Sequence, residues 1–176
     1  MFTARHLLGV LLLVPFMDIA AQSSDPEFRK GWLLNAGLTN TVITNFHGSQ
    51  PDAFAGGLYI NPQATIIPNL LRGGAYVGTV YENKQLSGLF GPMVALKLKS
   101  LKVGYFGTIA NLHLMGSAQW GTQGQALAGG GLGLEIAKLA HLGLSVQRNY
   151  SQSNWWIQSF IAIRLNRIEA RKDPYQ

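Results

Sequence analysis

The sequence has no cysteine. That excludes a disulfide framework, a thiolate metal site, a catalytic thiol and a lipid-modified cysteine. Charge is scarce as well: Asp, Glu, Lys and Arg make up 12% of the 176 residues, against about 25% in an ordinary soluble domain. The 14 basic residues outnumber the 8 acidic ones, for a formal net charge of +6. Such an excess invites a nucleic-acid reading. These basic residues, however, are scattered through an apolar chain rather than massed along a groove with aromatic platforms. Long apolar runs are missing too: past the N-terminus nothing reaches the roughly 18 unbroken apolar residues of a membrane helix. No three ligand-type residues have metal-site spacing. The run Gly129-Gly130-Gly131-Leu132-Gly133 lacks the Lys and Ser/Thr that complete a phosphate loop. No catalytic, cofactor or metal site is expected, and no nucleic-acid partner.

What the chain does have is 47% hydrophobic residues and 21 glycines. High apolar content with little charge argues against disorder, and the length suits one domain. At the start, Arg5 and His6 precede an apolar run from Leu7 to Met17, followed by Asp18-Ile19-Ala20-Ala21. A basic flank, a short apolar stretch and a small-residue exit read as a secretory signal peptide over 1–21, leaving Gln22 as the mature start.

Beyond Gly31 the apolar period is two. Trp32, Leu34, Ala36 and Leu38 oppose Asn35, Gly37 and Thr39. Phe90, Val94, Leu96 and Leu98 oppose Gly91, Ala95, Lys97 and Lys99. Leu132, Leu134 and Ile136 oppose Gly131, Gly133 and Glu135, and Leu142, Leu144 and Val146 oppose Gly143, Ser145 and Gln147. Trp155, Ile157, Ile161 and Ile163 oppose Gln158, Ala162 and Arg164. Strands are predicted over 31–43, 54–66, 72–82, 88–99, 102–117, 126–137, 140–150 and 155–166. Tight links at 67–71, 100–101 and 138–139 alternate with longer polar loops at 44–53, 83–87, 118–125 and 151–154. That layout predicts an all-β fold, an eight-stranded antiparallel up-and-down transmembrane β-barrel over 22–166 with a basic tail at 167–176.

The polar face decides which side meets water. A soluble barrel carries charge on its outer surface. Here the polar face is mainly Gly, Asn, Gln, Ser, Thr and Ala, which suits a narrow crowded interior. The apolar face carries Leu, Ile and Val, with Trp32, Tyr81, Tyr105, Trp120, Tyr150 and Trp155 near strand ends, as in interfacial girdles. A secreted soluble barrel binding an apolar ligand remains an alternative. Three segments, Gly129–Ile136, Leu142–Gln147 and Trp156–Leu165, give the mature chain a pattern that resembles the small eight-stranded bacterial outer-membrane barrels typified by the OmpA transmembrane domain and OmpX. The resemblance implies residence in the outer membrane of a Gram-negative bacterium among membrane lipids. Many such barrels end on an aromatic residue of the last strand, whereas this chain continues past Leu165.

Two roles are open. One is a non-enzymatic structural, adhesive or accessory subunit, for example of a secretion or conjugation assembly, meeting a protein partner through its loops, outer wall or C-terminal tail. The other is a lipid-acting enzyme, which requires a His with a nucleophile and a carboxylate at the outer rim. His47, with Ser49 and Asp52 nearby, is the only loop grouping of that kind and reads more simply as a solvated loop. His113 is expected in the lumen near Asn111, and His141 at a tight turn. Alternation sends Arg72, Lys97, Glu135 and Arg164 into the lumen, where Glu135 is expected to pair with Arg164 or Lys97, while Tyr76, Met93 and Phe160 fill the remaining space. Lys99, Lys102, Lys138, Arg167, Arg171 and Lys172 are expected to form a basic periplasmic rim.

Overall fold

The computed structural model describes residues 31–46, 51–102, 108–137 and 139–166. The proposed signal segment, His47, Ser49, Tyr105, Lys138, Arg167, Arg171 and Lys172 lie outside them. Eight strands follow one another: β1 (Trp32–Thr44), β2 (Ala53–Ile67), β3 (Leu71–Glu82), β4 (Gln85–Lys102), β5 (Thr108–Gly121), β6 (Ala126–Ile136), β7 (Ala140–Asn149) and β8 (Asn154–Arg164). Each pairs antiparallel with its neighbours in sequence, and β8 returns to β1, so the sheet closes into an up-and-down barrel. Closure leaves no strand edge unpaired. With an even strand number, β1 begins and β8 ends at one rim, here called proximal; the β1–β2, β3–β4, β5–β6 and β7–β8 hairpins form the distal rim.

The alternation read from the sequence is the barrel's inside and outside. Asn35, Thr39 and Thr41 of β1 point inward, while Trp32 and Leu38 face out. Phe54, Leu58, Val77, Phe90, Leu114, Leu132, Leu144 and Ile161 give the outer wall an apolar belt around the circumference. Phe46, Phe54, Tyr81, Trp120 and Tyr150 expose aromatic rings towards the distal rim. There Phe90 tilts against Trp120, and the Arg148 guanidinium lies 5.2 Å from the centre of the Trp155 ring.

Three connections differ from the sequence reading. The loop expected at 83–87 is a two-residue hairpin, because Asn83 (φ 47°) and Lys84 (φ 65°) both adopt the left-handed region that matches strand twist. The loop expected at 118–125 shrinks because β5 runs to Gly121. The tight turn expected at 100–101 is strand: Leu101 pairs with Ala110 and Lys102 with Thr108. A bulge between Lys97 and Lys99 shifts the register there, so Lys99 faces Leu112 on the outer wall instead of sharing Lys97's lumen side.

Glycine sets how closely neighbouring strands approach on the lumen side. A Cβ on Gly131 would run into the Leu144 carbonyl and Ser145 Cα of β7, whereas one on the outward Gly56 meets nothing closer than the Thr39 carbonyl at 4.0 Å. Gly131→Ala is therefore expected to destabilise the folded barrel by about 1–3 kcal/mol. Gly56→Ala should leave the urea midpoint unchanged. Equal midpoints for the two variants would show that the close approach at Gly131 is not real.

Candidate functional site in the barrel lumen

The lumen is filled in layers. At the proximal end, β6 turns the Glu135 carboxylate inward, and two arginines reach it across the barrel. Arg72 Nη1 of β3 lies 3.2 Å from Glu135 Oε2, and Arg164 Nη2 of β8 contacts Glu135 Oε1. All three side chains are more than nine-tenths buried. A carboxylate in that position is tolerated because it is paired and hydrogen-bonded; alone it would be strongly unfavourable. Asn35 is the register partner of Arg164 and lines the same water-sized gap of about 10 Å³. Close by, the Ser100 hydroxyl donates to Asn111 Oδ1 at 2.9 Å. Lys97 lies on the lumen side, half-buried, as the register partner of His113.

Above this cluster two imidazoles meet. His113 Nε2 and His141 Nε2 are 2.8 Å apart, though their strands are separated by β6. Gly133 makes the contact feasible: any side chain there would occupy the position of both imidazole Nε2 atoms. The Phe160 ring stands edge-on to His141, with centroids 5.0 Å apart, and Gly143 leaves room for it. His141 is thus not in the tight turn expected of it but the second residue of β7, facing inward.

The middle layer is aromatic and amide. Tyr59 and Tyr76 stack at 5.3 Å, with Phe160 edge-on to Tyr59. Asn61 contacts Gln63 and Met93. The Gln158 amide donates to Thr41 Oγ1 at 3.3 Å. Towards the distal rim the lumen turns apolar: Ile43, Val80, Leu89, Leu127 and Trp156 form a buried cluster. Trp156 is 1% exposed, and its indole N–H donates to Asn154 Oδ1 at 3.1 Å. Above it, Gln125 Nε2 donates to Ser87 Oγ at 3.0 Å.

Of the residues singled out from sequence, Arg72, Glu135 and Arg164 form one buried ion cluster, with Lys97 on the same side of the wall. Arg72 joins Arg164 as a partner of Glu135. Lys99 is exposed on the outer wall, and Lys102 closes β4 at the proximal rim. Sequence reasoning missed Trp156, Tyr59 and the His113–His141 contact. Strict alternation from Gln158 would have marked Trp156 as inward; no local signal could have joined the two histidines. Among the described residues, no three His, Cys, Asp or Glu side chains are grouped so as to hold a metal ion. Chemically, the arrangement is an ion cluster at the proximal end and an apolar plug at the distal end, with aromatic and amide side chains between them.

No protein-family model matches the chain, and no curated protein matches it. A solved chain described as "De novo design of transmembrane beta-barrels" is similar to 76% of this chain and 95% of its own length, with 14% sequence identity and a TM-score of 0.47.

Proposed function

We propose that this chain is an integral barrel of a Gram-negative outer membrane, acting without catalysis as a structural, adhesive or accessory subunit with a plugged lumen. One observation carries the reading: the barrel is apolar outside and polar inside. Phe54 is 76% exposed and Leu144 63%, while Asn61, Asn111 and Gln119 are each 2% exposed. In water that distribution would leave an apolar belt far larger than the few hundred Å² a soluble monomer tolerates. In a bilayer the same belt is solvated by lipid and the polar side chains by one another. The aromatic side chains near the distal rim suit an interface with headgroups. The two histidines and Glu135 lie inside the barrel below the apolar plug, out of reach of a lipid headgroup at the distal rim, which favours the non-enzymatic reading. Contact with a protein partner falls to the distal hairpins, the outer wall or the 167–176 segment. Exposed Lys99 near the proximal rim favours anionic headgroups.

The reading has a direct test. The protein should fractionate with outer membranes, resist urea extraction and run at different apparent sizes in boiled and unboiled gel samples. Recovery as a soluble periplasmic or secreted protein would exclude it. In intact cells, added protease should cut within 45–52, the longest distal connection between strands. Cleavage at 167–176 in intact cells would reverse the orientation.

A further inference from the structure

Between the ion cluster and the apolar plug, the lumen side chains do not close on one another. A cavity of about 50 Å³ remains, walled by Tyr59, Tyr76, Met93, Met115, Gln119 and Gln147 among others. Five buried polar atoms in that wall have no hydrogen-bond partner among the described residues: Thr39 Oγ1, the Tyr59 and Tyr76 hydroxyls, Gln119 Oε1 and Gln147 Oε1. The other end of each amide is engaged. Gln119 Nε2 donates to Ser117 Oγ at 3.3 Å, and Gln147 Nε2 donates to Gln158 Oε1 at 3.4 Å. The free polar set is therefore two amide oxygens that accept and three hydroxyls that can donate or accept.

Leaving a buried polar group unpaired costs about 1–3 kcal/mol, and here five sit around one void. A water molecule needs roughly 10–15 Å³ of such space and two to four polar partners. We infer that the mid-lumen cavity is a built hydration site, holding about three to five water molecules among the Thr39, Tyr59 and Tyr76 hydroxyls and the carbonyl oxygens of Gln119 and Gln147. The site takes small neutral hydrogen-bonding molecules, water first among them. The lumen is then a wet chamber between the ion cluster and the apolar plug, not a uniformly packed rod.

Radiolytic hydroxyl labelling with mass spectrometry tests this, because water trapped beside a side chain oxidises it even when bulk solvent cannot reach it. In the folded, detergent-solubilised protein, Tyr59, Met93 and Met115 should be labelled. Trp156, intrinsically reactive but set in the apolar plug, should not. After brief mixing with ¹⁸O water, label at Tyr59 and Met115 should remain mostly ¹⁶O, since the trapped water exchanges slowly. In the double variant Gln119→Leu/Gln147→Leu, checked for folding by gel mobility, labelling of Met115 should fall severalfold. If the folded double variant labels as the parent does, the amides do not hold the water and the assignment is wrong. Should the double variant fail to fold, the parent protein decides alone: Tyr59 and Met115 as inert as Trp156 would mean a dry cavity and overturn the inference.

Discussion

Glu135→Ala is expected to destabilise the folded barrel by about 3–5 kcal/mol, the usual effect of removing one partner from a buried ion pair. The cost comes mainly from what is left behind. Arg72 and Arg164 both point at the carboxylate, and their side chains are only 4% and 8% exposed. Without Glu135, the two buried guanidiniums lose the carboxylate they share. Urea unfolding of protein refolded into lipid vesicles reads the loss directly. The double variant Glu135→Ala/Arg164→Ala should recover part of it, since one of the two buried positive charges is gone. A midpoint unchanged in Glu135→Ala would mean that the cluster is hydrated and contributes nothing.

Trp156→Ala should cost a comparable amount, about 3–5 kcal/mol, by the transfer and cavity terms of a large aromatic removed from a packed core. Trp156 packs in the same buried cluster as Val80, Leu89 and Leu127, the layer that closes the lumen at the distal end. The wild-type protein in planar bilayers is accordingly expected to show no large, steady conductance, because eight strands enclose a width that side chains fill. Porin-like conductance from the wild type would contradict the closed lumen. A Trp156→Ala variant as stable as the parent would show that the plug is loosely packed.

Much of the barrel is legible in the sequence because a strand's period of two is a local property. Asn35, Thr39, Gln147 and Gln158 stand inward, and Leu38, Leu144 and Ile161 outward, where alternation puts them. The glycine-rich run in β6 lies where strands must approach closely, and its backbone could be placed without knowing the fold. What fails is whatever depends on register between distant strands. The meeting of Arg72 and Glu135 depends on how β3 and β6 face each other across the lumen, which neither segment encodes alone. His113 meets His141 over Gly133, a contact set jointly by three strands. The bulge at 97–99 turned Lys99 outward against its local alternation, and no proline or glycine marks that point. Trp156 was obscured by its neighbour: of two adjacent tryptophans, one must face in, and the girdle pattern drew attention to Trp155.

In the proposed membrane setting the apolar wall meets lipid and the polar wall does not meet bulk water. The absence of native cysteine makes single-site labelling clean. Spin labels at consecutive positions 142–147 of β7, in protein reconstituted into bilayers, would be probed by collision with oxygen, which concentrates in the hydrocarbon, and with a water-soluble nickel complex. Labels replacing Leu142, Leu144 and Val146 should collide with oxygen and be shielded from nickel. Labels at Gly143, Ser145 and Gln147 should be shielded from both. If instead the label at Leu144 meets nickel as freely as an aqueous loop does, the outer wall faces water and the membrane reading is wrong.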